Sequence, residues 1–283
     1  MTKLLRAMFY RSRHDPLLWL LLALTFLICA MFWNGMNIRS IGKLEEQIEQ
    51  SSLRAVAGAY GWEGEGDAPE EDKEAFFTYY VSYSSARMLR EVNPVRLLSI
   101  LAAAYLIGTL FTRRAVQAML YHGHSRGGLV CAALAYYCLV IAFTLAASVC
   151  IFLLLKFGAR AFPLFASPHF WGNLGLWLLL ALSALAPQFA LAFWIQNLFG
   201  TLLASFVLML AAANIPTGGF RGAVFAGPFG DFLPYGIMEK ETLWLSGGGL
   251  EPGKQALLLL IPAAILVSMA LLAYFAFQKQ DIR

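Results

Sequence analysis

The chain has 283 residues, 59% of them hydrophobic, with a mean hydropathy of +0.64 and only 13% charged. That is too apolar for an ordinary water-soluble domain and reads as an integral membrane protein. The net charge of +4 is no nucleic-acid footprint, because the bases stand beside apolar runs and not along one face.

Residues 1–16 carry Lys3, Arg6, Arg11 and Arg13 against one acid, Asp15. Leu4, Leu5, Met8 and Phe9 recur at helical spacing, which predicts an amphipathic helix lying in the membrane interface. The apolar run 17–33 is the first predicted span. It has no small-x-small cleavage site, and Ile28 directly before Cys29 argues against lipoprotein processing, so it reads as uncleaved. Residues 34–93 form the one large polar segment, with eleven acids and six bases. Leu44 to Tyr60 fits an amphipathic helix, and Phe76 to Tyr83 supplies aromatics to pack on it or on lipid. We read the segment as a large, solvated extracellular loop, with a lid or substrate vestibule as the alternative.

A second span covers 94–112 and leads into a basic cytoplasmic loop, 113–128. The third span is 129–155, followed by an extracellular connection at 156–170. The fourth, 171–195, holds Pro187, and a turn at 196–200 leads to the fifth at 201–215. Residues 216–254 break the pattern. Pro216, Gly218, Gly219, Gly227, Pro228 and Pro234 punctuate apolar residues that make no single clean helix. Non-helical backbone at membrane depth must be buried in protein or line a cavity, so this segment reads as an extracellular or re-entrant gate, with an interfacial helix over 237–245. The sixth span is 255–277, and 278–283 is a tail. Six spans put both termini and the 113–128 loop on one side, which then holds nine bases and two acids. The positive-inside rule makes that side cytoplasmic in the cell membrane.

Little chemistry is written into the chain. No G-x-x-x-x-G-K-[ST], H-E-x-x-H or G-x-S-x-G motif occurs. His122 and His124 have no cysteine or carboxylate beside them in the loop, so they do not complete a metal set. No ionisable residue falls near mid-span, which speaks against ion coupling. Ser99, Thr144, Ser148, Ser183, Gln188, Ser205 and Asn214 read as helix-packing contacts. Cys29, Cys131, Cys138 and Cys150 lie in apolar runs and read as buried structural thiols. No cofactor or metal is expected on this chain, and it is not expected to be an enzyme.

The loop RRAVQAMLYHGHSR, Arg113 to Arg126, stands out by its charge. As a helix it places Val116, Met119 and Leu120 on one face, and Arg113, Gln117 and Tyr121 on the other. Gly123 stops it and Gly127–Gly128 release the next span. Such a helix across two spans suits docking to another protein through its apolar face. The plainer alternative is a basic turn that only fixes topology.

Three local patterns resemble the membrane subunits of ABC-2 type transporters. They are the basic helix Leu4 to Arg13, the loop Leu120 to Arg126 with its Gly-x-Ser-Arg exit at Gly123, Ser125 and Arg126, and the ending Phe277 to Ile282. The broken segment before the sixth span corresponds to that family's external re-entrant helices. The stretch Leu110 to Ala115 departs from the family by lacking its acidic residue and Gly-Thr pair. The resemblance implies an all-α membrane protein of six transmembrane helices with an N-terminal interfacial helix and a cytoplasmic coupling helix. It further implies an exporter of peptides, drugs or lipid-like molecules. Its partners would be cytoplasmic ATPase subunits holding ATP and Mg, a second permease subunit (the same or a different chain) and membrane lipid, with no nucleic acid. Arg113, Arg114, Val116, Gln117, Met119, Leu120, Tyr121, Gly123, Ser125 and Arg126 would form the ATPase-coupling loop. A non-transporting sensor or structural subunit that docks an ATPase is the nearest alternative, and an intramembrane enzyme the more distant one.

Overall fold

The computed structural model describes residues 2–35, 38–60, 73–89, 104–112, 115–214 and 252–279, and among them every regular element is a helix. Four are long and apolar enough to cross a membrane: α2 (Pro16–Gly35), α8 (Arg126–Phe157), α10 (Pro168–Ile195) and α12 (Pro252–Lys279). The predicted second span is described only from residue 104, ending in α6 (Gly108–Thr112). The predicted fifth is α11, described over Leu198–Asn214, 17 residues that extend about 25 Å at the helical rise. Residues 216–251 of the predicted gate lie outside the described residues, including Pro216, Gly218, Gly219, Gly227, Pro228 and Pro234.

The long helices start and stop where local chemistry dictates. Pro16 opens α2, and Asp15 Oδ1 accepts the Leu17 N–H at 3.2 Å. Ser125 caps α8 by accepting from the Gly128 N–H at 3.1 Å. Gln196 takes a left-handed φ of 53° to end α10, and Asn197 Oδ1 accepts the Phe199 N–H at 2.9 Å to open α11. That chain reversal needs only two residues.

The central helix is α8. Its buried side chains, among them Leu129, Ala133, Tyr137, Ile141, Leu145, Val149 and Phe152, meet α1 (Thr2–Arg13), α2, α10 and α12. The first helix, expected to lie in the interface, packs on α8. Leu4 and Met8 are buried, and Phe9 sets its ring edge-on to Tyr136 at 5.3 Å. Of the four cysteines only Cys29 is buried; Cys131 is exposed, and Cys138 and Cys150 are half-buried, Cys138 against the core. All four are free thiols. Thr144, Ser148 and Ser183 satisfy themselves on carbonyls of their own helices. Gln188 Oε1 and Ser205 Oγ are buried without a partner among the described residues.

The polar segment after α2 is more ordered than a solvated loop where it is described. It folds into α3 (Ile41–Gln50), α4 (Leu53–Ala59) and α5 (Lys73–Leu89), so the single helix expected over Leu44 to Tyr60 is broken at Ser51–Ser52. Ser52 caps α4 by accepting the Ala55 N–H at 3.3 Å. The segment's aromatics hold this cap together. Tyr60, Phe76 and Tyr80 meet in one cluster, and Tyr80 stands edge-on to Phe157 at the end of α8, with 6.0 Å between centroids. A 3-10 turn (Gly158–Ala161) and α9 (Phe162–Ala166) complete this end. Arg160 in the turn lies over the Phe77 ring at 4.1 Å and pairs with Glu74 at 3.0 Å and Glu45 at 3.5 Å. Arg160 therefore ties the segment to the end of α8, through its stack on Phe77 with the two ion pairs beside it.

Candidate functional site

The basic loop and its surroundings occupy the opposite end of the bundle. Here α6 leads to the short helix α7 (Ala115–Tyr121), which returns the chain to α8. The exit from α7 is a closed backbone motif. Gly123 has φ 81°, its N–H donates to Leu120 O at 2.9 Å, and the His124 N–H donates to Met119 O at 3.3 Å. This 5→2 and 6→1 pairing requires a left-handed residue at the fifth position, which glycine occupies without a Cβ penalty. The turn is thereby rigid, and Ser125 starts α8 immediately after it.

The faces of α7 are not used as the spacing suggested. Val116 is only 2% exposed, and Met119 and Leu120 are half-buried against the protein's own core. Tyr121 is 91% exposed, and Ala118, His122 and Gly123 are also open to the surroundings. The apolar face expected to dock a partner is thus spent on holding the helix to its own bundle. Gln117 is half-buried, and Arg113 and Arg114 lie outside the described residues. His122 Nδ1 is 2.7 Å from the Ala118 carbonyl, a bond within the helix end.

Arg126 was the most informative of the sequence candidates. Its Nη1 donates to the carbonyls of Phe277 at 3.1 Å and Gln278 at 2.8 Å, which caps the last turn of α12. A cation at a helix C-terminus satisfies orphan carbonyls and complements the dipole. The guanidinium also lies 5.7 Å from the Phe277 ring centroid. Phe277 belongs to a triad with Phe111 of α6 at 6.0 Å and Phe193 of α10 at 5.6 Å, and Phe111 and Phe193 meet at 5.3 Å. The loop is therefore joined through one arginine to rings from three separate helices.

Sequence reading missed two further ties at this end. Asp15, the lone acid of the N-terminal segment, is buried and accepts a hydrogen bond from the Tyr105 hydroxyl. Arg11 Nη2 donates to the Thr109 carbonyl at 3.2 Å. The unmatched acid among four bases was the available signal for Asp15. Nothing in the sequence marks Tyr105 as the partner of Asp15 or Thr109 as that of Arg11. Gly108 brings two backbones close together: a Cβ added there would stand 2.9 Å from Leu198 Cα at the start of α11. Among the described residues no group of three His, Cys, Asp or Glu side chains gathers as metal ligands.

No protein-family model, no curated protein and no solved structure matches the chain. What the site does chemically rests on its geometry: a short rigid helix with its inner face anchored, its outer face bare, and its exit strapped to the last span.

Proposed function

We propose that the chain is a permease subunit of an ATP-driven exporter of the ABC-2 type. In this reading six spans place both termini and α7 in the cytoplasm of a cell-membrane protein. A separate ATPase subunit binds ATP and Mg and presses on the outer face of α7. A second permease subunit completes the pathway. The cap of α3, α4 and α5 then stands outside, over the pathway.

The observation that carries the proposal is the division of α7 into a buried and a bare face. Tyr121, 91% exposed in the last turn of a helix whose other face is anchored, is an aromatic of the kind that anchors a partner. With Val116 buried and the exit strapped through Arg126 to Phe277 and Gln278, a push on Ala118, Tyr121 and His122 is delivered to α8 and α12 together. The loop's charge supports the sidedness, since basic loops beside spans are the cytoplasmic signature.

The test is copurification from native membranes with the tagged full-length chain. Wild type is expected to bring down an ATP-hydrolysing subunit, and Tyr121→Ala or Ala118→Glu to lose it. Burying a tyrosine covers about 150–250 Å² and anchors of this kind contribute about 2 kcal/mol or more, so retention falls by at least about thirtyfold. Val116→Ala is expected to lower thermal stability while keeping the partner. If no ATPase copurifies, or Tyr121→Ala holds it as wild type does, the proposal is wrong.

A further inference from the structure

At the capped end, three cations converge where α2 and α8 finish. Arg39, Lys43 and Lys156 line a polar cleft of about 500 Å³ together with Asn34, Ile38 and Ser40. No acid is among these lining residues. Glu45, two residues beyond Lys43, is drawn to Arg160 and pairs there. Lys43 and Lys156 line the same cleft, so their like charges face it together.

The cleft is held in shape by bonds that do not use up its charge. Lys156 Nζ donates to the Ile38 carbonyl at 3.2 Å and lies 5.7 Å from the Phe152 ring centroid, so one of its three N–H donors is committed to a carbonyl. The Arg39 N–H donates to the Tyr80 hydroxyl at 2.8 Å, so the 38–40 connection is gripped from α8 and from α5. Ser40 stands at the start of α3 without a side-chain bond to its own helix, leaving a hydroxyl donor beside the cations. Like charges gathered on a fixed frame cost free energy that a bound anion relieves, and a preorganised frame loses little entropy on binding.

We infer that this cleft binds a phosphate group. Phosphate offers several acceptor oxygens around one centre and forms charge-assisted bonds with lysine and arginine together. The polar lining fits a headgroup and not an acyl chain. Its place at the ends of two membrane-spanning helices puts it at headgroup depth. Two sources share this chemistry, an anionic phospholipid and a phosphate-bearing solute. The inference does not depend on the exporter reading.

Native mass spectrometry of the delipidated full-length chain separates the sources, with phosphatidylglycerol, diacylglycerol and inorganic phosphate as probes. Saturable retention of one phosphatidylglycerol is expected, with diacylglycerol not retained. In Arg39→Gln/Lys43→Gln, affinity falls by about tenfold or more, each cation carrying a charge-assisted bond. Lys43→Glu, at an exposed position that leaves folding intact, does the same. Lys73→Gln, exposed at the same end but outside the cleft, binds as wild type. If inorganic phosphate displaces the lipid at millimolar concentration and stabilises wild type but not Arg39→Gln/Lys43→Gln, the site stands and its ligand comes from solution. Equal binding by wild type, Arg39→Gln/Lys43→Gln and Lys43→Glu, equal loss in Lys73→Gln, or equal retention of diacylglycerol overturns it.

Discussion

Gly108→Ala offers the most direct check of how α6 meets α11. The added methyl would lie 2.9 Å from Leu198 Cα, 3.2 Å from its Cδ1 and 3.4 Å from its Cβ. Ordinary contact begins near the last of these distances, so the two backbones must part by about 0.5–1 Å. Overpacking of that kind costs about 1–3 kcal/mol, while replacing a helical glycine by alanine returns about 0.5–1 kcal/mol. The net expectation is a loss of about 1–2 kcal/mol. Two other glycines calibrate it. Gly127→Ala meets only the Tyr274 ring, Cε2 at 3.3 Å and Cδ2 at 3.9 Å, a side chain able to yield, and is expected to be near neutral. Gly42→Ala in α3 meets nothing within 4 Å and should gain about 0.4–1 kcal/mol. Heating the detergent-solubilised chain and following its monodisperse fraction ranks the three, at about 2–4 °C for each kcal/mol. Leu198→Ala should not rescue Gly108→Ala, because the nearest atom is backbone. Should Gly108→Ala prove as stable as wild type, or be rescued by trimming Leu198, the close approach of the two backbones is refuted.

Arg126→Ala removes two hydrogen bonds to the end of α12 and a ring contact, a loss of about 1–3 kcal/mol at this partly exposed site. Hydrogen exchange should rise in the last turn of α12 and not in its middle; uniform exchange would deny the strap. Arg160→Ala should loosen α5 by about 1–2 kcal/mol, mostly through the lost stacking on Phe77, since ion pairs this exposed contribute about 0–1 kcal/mol each. A loss abolished entirely by salt would show that the charges alone hold the cap. Burial, opposed by the hydrogen bond to the Arg39 backbone, raises the Tyr80 hydroxyl above its ordinary 10.0. Because the folded value is the higher one, its contribution is complete below about pH 10 and is lost as pH climbs through the folded value. Protease resistance of α3 to α5 should therefore fall in that alkaline range in wild type and less steeply in Tyr80→Phe.

How much of this was legible depended on whether a signal is local. Apolar runs with few charges mark α2, α8, α10 and α12 because a bilayer demands an uninterrupted apolar length, and that demand is written residue by residue. The helix at Ala115–Tyr121 and its stop at Gly123 were readable for the same reason, since left-handed backbone is a property of neighbouring residues, whereas the restart came at Ser125, ahead of Gly127 and Gly128, which were expected to release the span and instead lie in its first turn. Which face of that helix is free was not. The 3.6-residue period sorts Val116, Met119 and Leu120 onto one side, and an apolar side fits a partner's groove or the chain's own core equally well. Only the packing of α7 onto the bundle assigned it to the core and left Tyr121 bare. The polar segment after α2 misled for a related reason. Its acids and bases look solvated one at a time, whereas Arg160 draws Glu45 and Glu74 together from helices far apart in sequence, over a ring of Phe77. Arg126 shows the same division within one residue. Its charge beside the glycine turn was visible in the sequence, but the carbonyls it caps lie 151 and 152 residues away, and that distance is closed only by the fold.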